Sequence, residues 1–317
     1  MRVLITGAGG FVGNHLTSYL KSAHPDAILY GTVLNAQEKA SEYITSLFVA
    51  DLKDDTRVFD ILNECQPDAI YHLAAQAFVP RSFEDPWETL ENNIRSQLNI
   101  IQACLALDIR PRMLIISSAE IYGAINTTQM PMTEDTPMRP TNPYSVSKVT
   151  QDMLGLQYFL SHQMPIMRAR ALNHIVPVHN PRFVAPAFAT QIAKIEAKQQ
   201  EAVIYVGNLE AQRDFTDVRD IVRAYDLIVE KGKPGQAYNV ASGKAYSVQY
   251  LLDTLLSYSS IDIEVRVDPE RLRPVDVPII RGDNSKLHHD TGWRTTIKFE
   301  DTLKDVLDDC RQRIRNT

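Results

Sequence analysis

Cysteine is scarce in this chain: three thiols, Cys65, Cys104 and Cys310, among 317 residues. They are widely separated, odd in number and set among apolar neighbours, which excludes a disulfide framework and reads as reduced, packed thiols of a cytosolic protein. No apolar run reaches the roughly 18 residues a membrane-spanning helix needs, and no charged leader with a cleavage site opens the chain. An excess of positive charge is missing too. Thirty-three Lys and Arg stand against 39 Asp and Glu, a net charge of -6, and this argues against nucleic acid as principal partner, because phosphate backbones are gripped by clustered cations. No metal-ligand spacing occurs; His288-His289 has no carboxylate or thiol on a common face and reads as a polar turn. Internal repeats and low-complexity tracts are absent. What is left is a cytoplasmic globular protein, without membrane, metal or nucleic acid, long enough for one large core and a smaller lobe.

Short apolar runs at residues 2–6, 28–32, 47–50, 69–73, 112–117 and 165–169 alternate with helix-like segments. That alternation predicts an α/β fold: a doubly wound parallel sheet covered on both faces. Residues 88–107 place Leu90, Ile94, Leu98, Ile101 and Leu105 three or four apart, a long amphipathic helix, and residues 144–160 form another. The outer faces of these two helices are the surfaces expected to pair two copies as a homodimer. Past Ala171 the alternation loosens. Pro177, Pro181 and Pro186 break up any long element, and helical spacing returns at Val218, Ile221, Val222, Tyr225 and Ile228 and again at Leu303, Val306, Leu307, Cys310 and Ile314.

Directly after the first apolar run stand Gly7, Gly10 and Gly13, spaced Gly-x-x-Gly-x-x-Gly, with Phe11 and Val12 between the last two and a helix expected from Asn14 to Lys21. Gly7 permits a tight turn, Gly10 lets the backbone approach a pyrophosphate, and Gly13 lets the helix pack close to the strand while its first NH groups face the anion. Ser118 and Glu120 follow the run 112–117, at a strand's carboxyl end, the edge where open parallel sheets bind ligands. Tyr144 and Lys148 are four apart. On a helix they share a face one turn apart, and an ammonium beneath a phenol favours phenolate, lowering a pKa of about 10 toward neutrality.

The run from Thr6 to Gly13, Asp51-Leu52, His72-Leu73-Ala74-Ala75, Asn93, Ser118 and Tyr144 with Lys148 together resemble the extended short-chain dehydrogenase/reductase family, in its nucleotide-sugar branch. The resemblance covers essentially the whole chain. It implies a Rossmann-type sheet in residues 1–170, with part of the later chain returning to it, and a smaller mixed α/β lobe for the nucleotide sugar in 171–317. By the same likeness Asp51 and Leu52 bracket an adenine, Leu73, Ala74 and Ala75 lie along the cofactor, and Ser118, Tyr144 and Lys148 form the catalytic triad.

Segments around Asn173-His174, Arg213-Asp214-Phe215-Thr216-Asp217 and Leu272-Arg273-Pro274 resemble enzymes acting on GDP-linked deoxyhexoses. In them Asn173 can hydrogen-bond a diphosphate and Arg213 and Arg273 supply forked donors. The expected activity is reduction of a GDP-linked 4-keto-6-deoxyhexose to a GDP-D-rhamnose-type product by NAD(P)H, with Glu120 suiting the alternative, GDP-mannose 4,6-dehydration. UDP-sugar 4-epimerisation and a non-catalytic nucleotide sensor are more distant alternatives. One departure stands out: the reductase pattern has glycine where this chain has Val176. The cofactor is NADP(H) or NAD(H). The end of the second strand, residues 30–35, carries neither an acid for ribose hydroxyls nor an arginine for a 2′-phosphate, and Thr32 and Asn35 as donors lean the choice toward NADP(H).

Overall fold

The chain's apolar runs become strands buried on both faces. Val3, Leu4 and Ile5, Ala69, Ile70 and Tyr71, and Met113, Leu114 and Ile115 are all inaccessible to solvent or nearly so, as a parallel sheet with helices on each side requires. The structure, a computed structural model, describes residues 1–175, 183–271 and 277–316. Its first half alternates regularly: β1 (Arg2–Thr6), α1 (Phe11–Ala23), β2 (Ile28–Val33), β3 (Ser46–Val49), α2 (Asp55–Cys65), β4 (Ala69–His72), α3 (Val79–Glu84), α4 (Pro86–Ala106), β5 (Arg112–Ser118), α5 (Pro143–His162) and β6 (Ile166–Ala171). Then come β7 (Asn173–Ile175), α6 (Val184–Glu196), β8 (Val203–Val206), β9 (Gln212–Asp217), α7 (Val218–Lys231) and β10 (Ala237–Val240). The chain continues through β11 (Ala245–Ser247), α8 (Val248–Ser257), β12 (Glu264–Val267), β13 (Ile279–Ile280), α9 (Ser285–Thr291) and α10 (Phe299–Arg315).

Seven strands make the main sheet in the order β3-β2-β1-β4-β5-β6-β10, every neighbouring pair parallel. The chain changes direction across the sheet between β1 and β4, so a crevice opens at their carboxyl ends. Helices α2, α4 and α5 cover one face, burying Val58, Ile61, Ile100, Ile101 and Cys104 against Leu4, Ile70 and Ile115. On the other face α1 and α7 bury Leu16, Leu20, Ile221 and Tyr225 against Val3, Ile5 and Leu114. A separate apolar core unites α6, α8 and α10 through Phe188, Ile192, Leu251, Leu255, Leu303 and Leu307. Short sheets of β7, β9, β11 and β13 and of β8 with β12 flank it. No helix among the described residues is long and apolar enough to cross a membrane.

All three cysteines are free and buried. Burial pushes Cys65 and Cys104 up to about 12, which leaves them inert as nucleophiles.

Three local expectations change. The first helix begins at Phe11 rather than Asn14, because Gly10 already has the extended backbone of an N-cap. His288 and His289 form the last turn of α9, not a free turn; their ring Nδ1 atoms bond the Trp293 carbonyl and Asp290. On α4 the apolar stripe divides, with Ile101 buried against the sheet and Leu105 at the margin of that core. Leu90, Ile94, Leu98 and Leu105 are half-buried, whereas Thr89, Asn93, Ser96 and Gln97 lie beneath, buried and polar.

Candidate active site

The glycine turn is built so that only glycine fits. Gly7 has φ +66°, and a Cβ there would come within 3.1 Å of the Ala74 backbone; one on Gly13 would stand 2.4 Å from the Gly7 carbonyl oxygen. Gly10 NH donates to Gly7 O at 3.0 Å, closing the turn. As N-cap of α1, Gly10 has no side chain to satisfy the first helical NH groups, and such a terminus is suited to an anion. A cradle that any Cβ would fill, opening onto a 13-residue helix, fits the pyrophosphate of a dinucleotide. Phe11 stacks near-parallel on His174 with ring centroids 6.2 Å apart, and Val12 packs on the core beneath.

Asn142 and Ser145 form a capping box and Pro143 occupies the first turn, so α5 starts where Tyr144 must face the sheet edge. Gly155 lets this helix approach β6, since a Cβ there would already be 3.2 Å from Ile166. Tyr144 lies near enough to Ser118, at the end of β5, for that hydroxyl to act on its phenol, and Lys148 Nζ donates to the Ile116 carbonyl at 2.9 Å. Ser118 Oγ also accepts from Glu120 NH at 3.2 Å, and Glu120 Oε2 accepts from Asn142 Nδ2 at 3.3 Å. Ser118, Glu120, Tyr144 and Lys148 thus gather at one edge.

The electrostatics of the pair differ from the expectation. Lys148 Nζ lies 5.9 Å from the centre of the Tyr144 ring, yet the phenol is pushed up to about 12, chiefly by burial, with the Ser118 hydrogen bond opposing and Glu120 adding to the rise. Burial lowers Lys148 itself to about 7. Burial of both groups thus works against a phenolate here, the opposite of what spacing alone suggests.

Around this edge, Ala74 NH donates to Thr6 Oγ1 at 3.1 Å, and the same hydroxyl bonds His72 Nδ1 at 2.9 Å; Leu73, Ala74 and Ala75 therefore lie against the glycine turn. Asn93 is fully buried and spent within the protein: its oxygen accepts from Gln76 NH at 2.7 Å and its nitrogen donates to Ser147 Oγ at 2.9 Å. It fastens the loop after β4 to α5 rather than facing a ligand. Asp51, exposed beyond β3, accepts from Lys53 NH, and buried Leu52 takes Asn99 through its carbonyl. Thr32 is buried and its hydroxyl accepts from Gly7 NH at 3.4 Å, which ties the end of the second strand to the turn. A carboxylate does stand near the second strand's end: Glu38, from the following loop, accepts from Asn35 NH at 3.1 Å.

Beyond β6, exposed Asn173 reaches the Asp214 carbonyl at 3.5 Å and Arg213 donates to the carbonyls of Gln212 and Val277, both at 2.8 Å. Arg273 and Val176 lie outside the described residues. Spacing missed two other features. Asp214 is buried and accepts from Ser242 NH, Ser242 Oγ, Gly243 NH and Gly282 NH, tying β9 to the loop after β10; burial lifts it to about 6 despite those donors. Asp152, one turn beyond Lys148, binds Arg168 at 2.7 Å and Arg170 at 2.9 Å, and Arg170 goes on to Tyr122 Oη at 3.1 Å. The signal was there in outline, two arginines at period two in an otherwise apolar strand.

A parallel sheet with its switch-point crevice, a glycine cradle and a Ser-Tyr-Lys edge define a nucleotide-sugar enzyme of the extended short-chain dehydrogenase/reductase class. The chain belongs to the GDP-mannose 4,6 dehydratase family, whose model matches residues 4–306. It is 35% identical to the GDP-6-deoxy-D-mannose reductase of Pseudomonas aeruginosa over 99% of this chain and 98% of that one. The GDP-mannose 4,6-dehydratase of Sinorhizobium fredii is 29% identical over 86% and 82% of the two chains. Among solved structures, RMD from Pseudomonas aeruginosa complexed with NADPH superposes with a TM-score of 0.88 at 33% identity, covering 98% of this chain and 99% of that one.

Proposed function

We propose that the protein reduces carbon 4 of a GDP-linked 4-keto-6-deoxyhexose, giving a GDP-D-rhamnose-type product, with NADPH or NADH as reductant. The observation that carries this reading is the match to nearly the full length of a GDP-6-deoxy-D-mannose reductase, in a chain whose Tyr144 and Lys148 gather with Ser118 at the sheet edge. Reduction needs a proton donor at the nascent alkoxide; dehydration begins with oxidation and needs a base there first. The dinucleotide, when bound, supplies hydride. Ser118 hydrogen-bonds the keto oxygen, Tyr144 gives that oxygen its proton and regains one from solvent, and Lys148 holds the nicotinamide ribose. The glycine turn, Phe11, Val12, Leu73, Ala74 and Ala75 line the dinucleotide, with Asp51 and Leu52 at the adenine. Asn173, Arg213 and Arg273 are the donors assigned to the GDP diphosphate. The match to nearly the full length of a reductase and the bound NADPH of the solved relative support the reductase and NADP(H). Three buried, free thiols are in keeping with a reducing, cytoplasmic setting.

One observation favours the dehydratase alternative: Glu120 brings a carboxylate to the same rim. Two incubations separate the activities, each followed by mass. With the 4-keto-6-deoxy derivative of GDP-mannose and NADPH, the product gains two hydrogens; with GDP-mannose alone, nothing is lost. Loss of water from GDP-mannose would overturn the reductase assignment.

The pairing surface proposed for a homodimer is the outer side of α4 and α5. Val146, Met153 and Leu160 recur every seven residues along α5 and are 41%, 37% and 64% exposed, one stripe of a helix. Half-buried Leu90, Ile94 and Leu98 present a matching stripe on α4. Met153→Glu is expected to convert a dimer into monomers at micromolar concentration, measured by light scattering behind size-exclusion chromatography. An unchanged molar mass in that variant would remove these helices as the interface.

A further inference from the structure

We propose that Asp214 positions Asn173 and Arg213 for the diphosphate, so that the grip on the nucleotide sugar depends on the charge of a fully buried carboxylate. The inference rests on the nucleotide-sugar reading given above. Asp214 Oδ1 accepts from Ser242 NH at 2.8 Å and Ser242 Oγ at 2.6 Å, and its Oδ2 accepts from Gly243 NH at 3.0 Å and Gly282 NH at 3.2 Å. An ionised carboxylate has about four acceptor sites, and here four donors meet them.

Those donors come from the two strands beside β9. Ser242 and Gly243 lead into β11 and Gly282 follows β13, and both strands pair with β9 at Arg213, opposite Tyr246 and Ile280. Arg213 itself donates to the Val277 carbonyl, just ahead of β13. Strand β7 joins β9 one residue further on, with Asn173 opposite Phe215, and Asn173 Nδ2 reaches the Asp214 carbonyl. The carboxylate therefore clamps together the strands that present both donors. A Cβ on Gly282 would stand 2.7 Å from Ala241 Cβ and 3.0 Å from Leu172 Cδ1, so only glycine brings this NH in, directly behind the residue that precedes Asn173.

A proton on Asp214 displaces one of the four donors and turns the remaining bonds from charge-assisted to neutral, about half as strong. Burial lifts the group to about 6, against the pull of the Ser242, Gly282 and Gly243 donors, so the clamp is charged at neutral pH and loses its charge as pH falls through that value. The other titratable side chains on the packed segments are Lys244, Tyr246, Arg281, Asp283 and, on β7, His174. Tyr246 is raised, chiefly by burial, with Glu300 and Asp214 adding to the rise, and burial holds His174 below its ordinary value.

The test is calorimetric titration of the full chain with GDP-mannose, whose diphosphate, esterified at both ends, gains no proton between about pH 5 and pH 8. The dissociation constant is expected to rise about tenfold from pH 7 to pH 5. Ser242→Ala removes one donor to the ionised form, so the same loss should set in at higher pH, with its midpoint moved upward. Lys148 also gains a proton near pH 7, but a midpoint that moves with Ser242 belongs to the carboxylate that Ser242 touches. Asp214→Asn should bind GDP-mannose about tenfold more weakly at pH 7 and change less than twofold toward pH 5, with dinucleotide affinity kept within twofold. A constant that varies less than twofold from pH 7 to pH 5 in the unaltered protein, or a midpoint indifferent to Ser242→Ala, removes Asp214 from this role. If the unaltered protein does not bind GDP-mannose at pH 8, the diphosphate reading fails and this inference with it.

Discussion

Replacing Tyr144 with Phe should lower turnover of the keto sugar by about 10³-fold or more, while dinucleotide affinity stays within a few-fold. The phenol lies beside Ser118 at the sheet edge, and burial favours its protonated form. Phe keeps the ring and its packing, so the helix start at Asn142 and the position of Lys148 are untouched. What disappears is the proton delivered as carbon 4 accepts hydride, and water in a buried site is a poor substitute. Single-turnover kinetics at saturating dinucleotide, with direct titration of binding, separate the two effects. A variant turning over within tenfold of the original would end the assignment of Tyr144 as proton donor.

Asp152→Ala should destabilise the fold by about 3–5 kcal/mol. This carboxylate is completely buried and answers two guanidiniums, Arg168 and Arg170, that are themselves almost inaccessible. Its removal leaves both cations without their counter-ion. Burial alone would raise the Asp152 pKa, but the Arg170 and Arg168 guanidiniums outweigh it and hold the group below its ordinary value. The pair's contribution is therefore complete above the unfolded carboxyl range, near pH 4, and is lost as pH falls through the folded value. The exposed pair Arg95 with Glu91 gives the contrast: Glu91→Ala should cost at most about 0.5 kcal/mol. Urea unfolding of the variants measures both, and a loss below about 1 kcal/mol for Asp152→Ala would mean the arginines find other partners.

The sheet was legible because its strands appear as continuous apolar runs, and six such runs became β1 to β6, of which the edge strand β3 leaves Leu47 and Val49 exposed. The glycine turn was legible for the same kind of reason: its spacing is imposed by backbone contacts, such as that of Gly13 with Gly7 O, which no other residue survives. The gathering of Ser118 and Tyr144 followed from a strand end and a helix start. The charge state of the pair was not legible, since spacing places Lys148 near Tyr144 but says nothing of how deeply both are buried. The role of Asp214 was hidden for a different reason, because its donors Ser242, Gly243 and Gly282 stand on loops without periodicity. On α4, periodicity gave the apolar positions but not the buried polar ones. Gln97 donates to the Gln151 carbonyl and Asn93 to Ser147, through partners on α5 that a helical wheel does not contain.

Strand β10 carries a consequence for how this chain is made. It closes the sheet by pairing with β6 through residues 237 to 240, some seventy positions after its neighbour. During synthesis β6 therefore emerges before the strand that covers its outer row of backbone groups, and before the Gly235 carbonyl to which Arg168 donates. The nascent protein must hold an open, apolar border for the several seconds that ribosomes need to add those residues. That interval, residues 172 to 236, spans α6, β8, β9 and α7 and is one at which chaperones have an unpaired strand edge to bind.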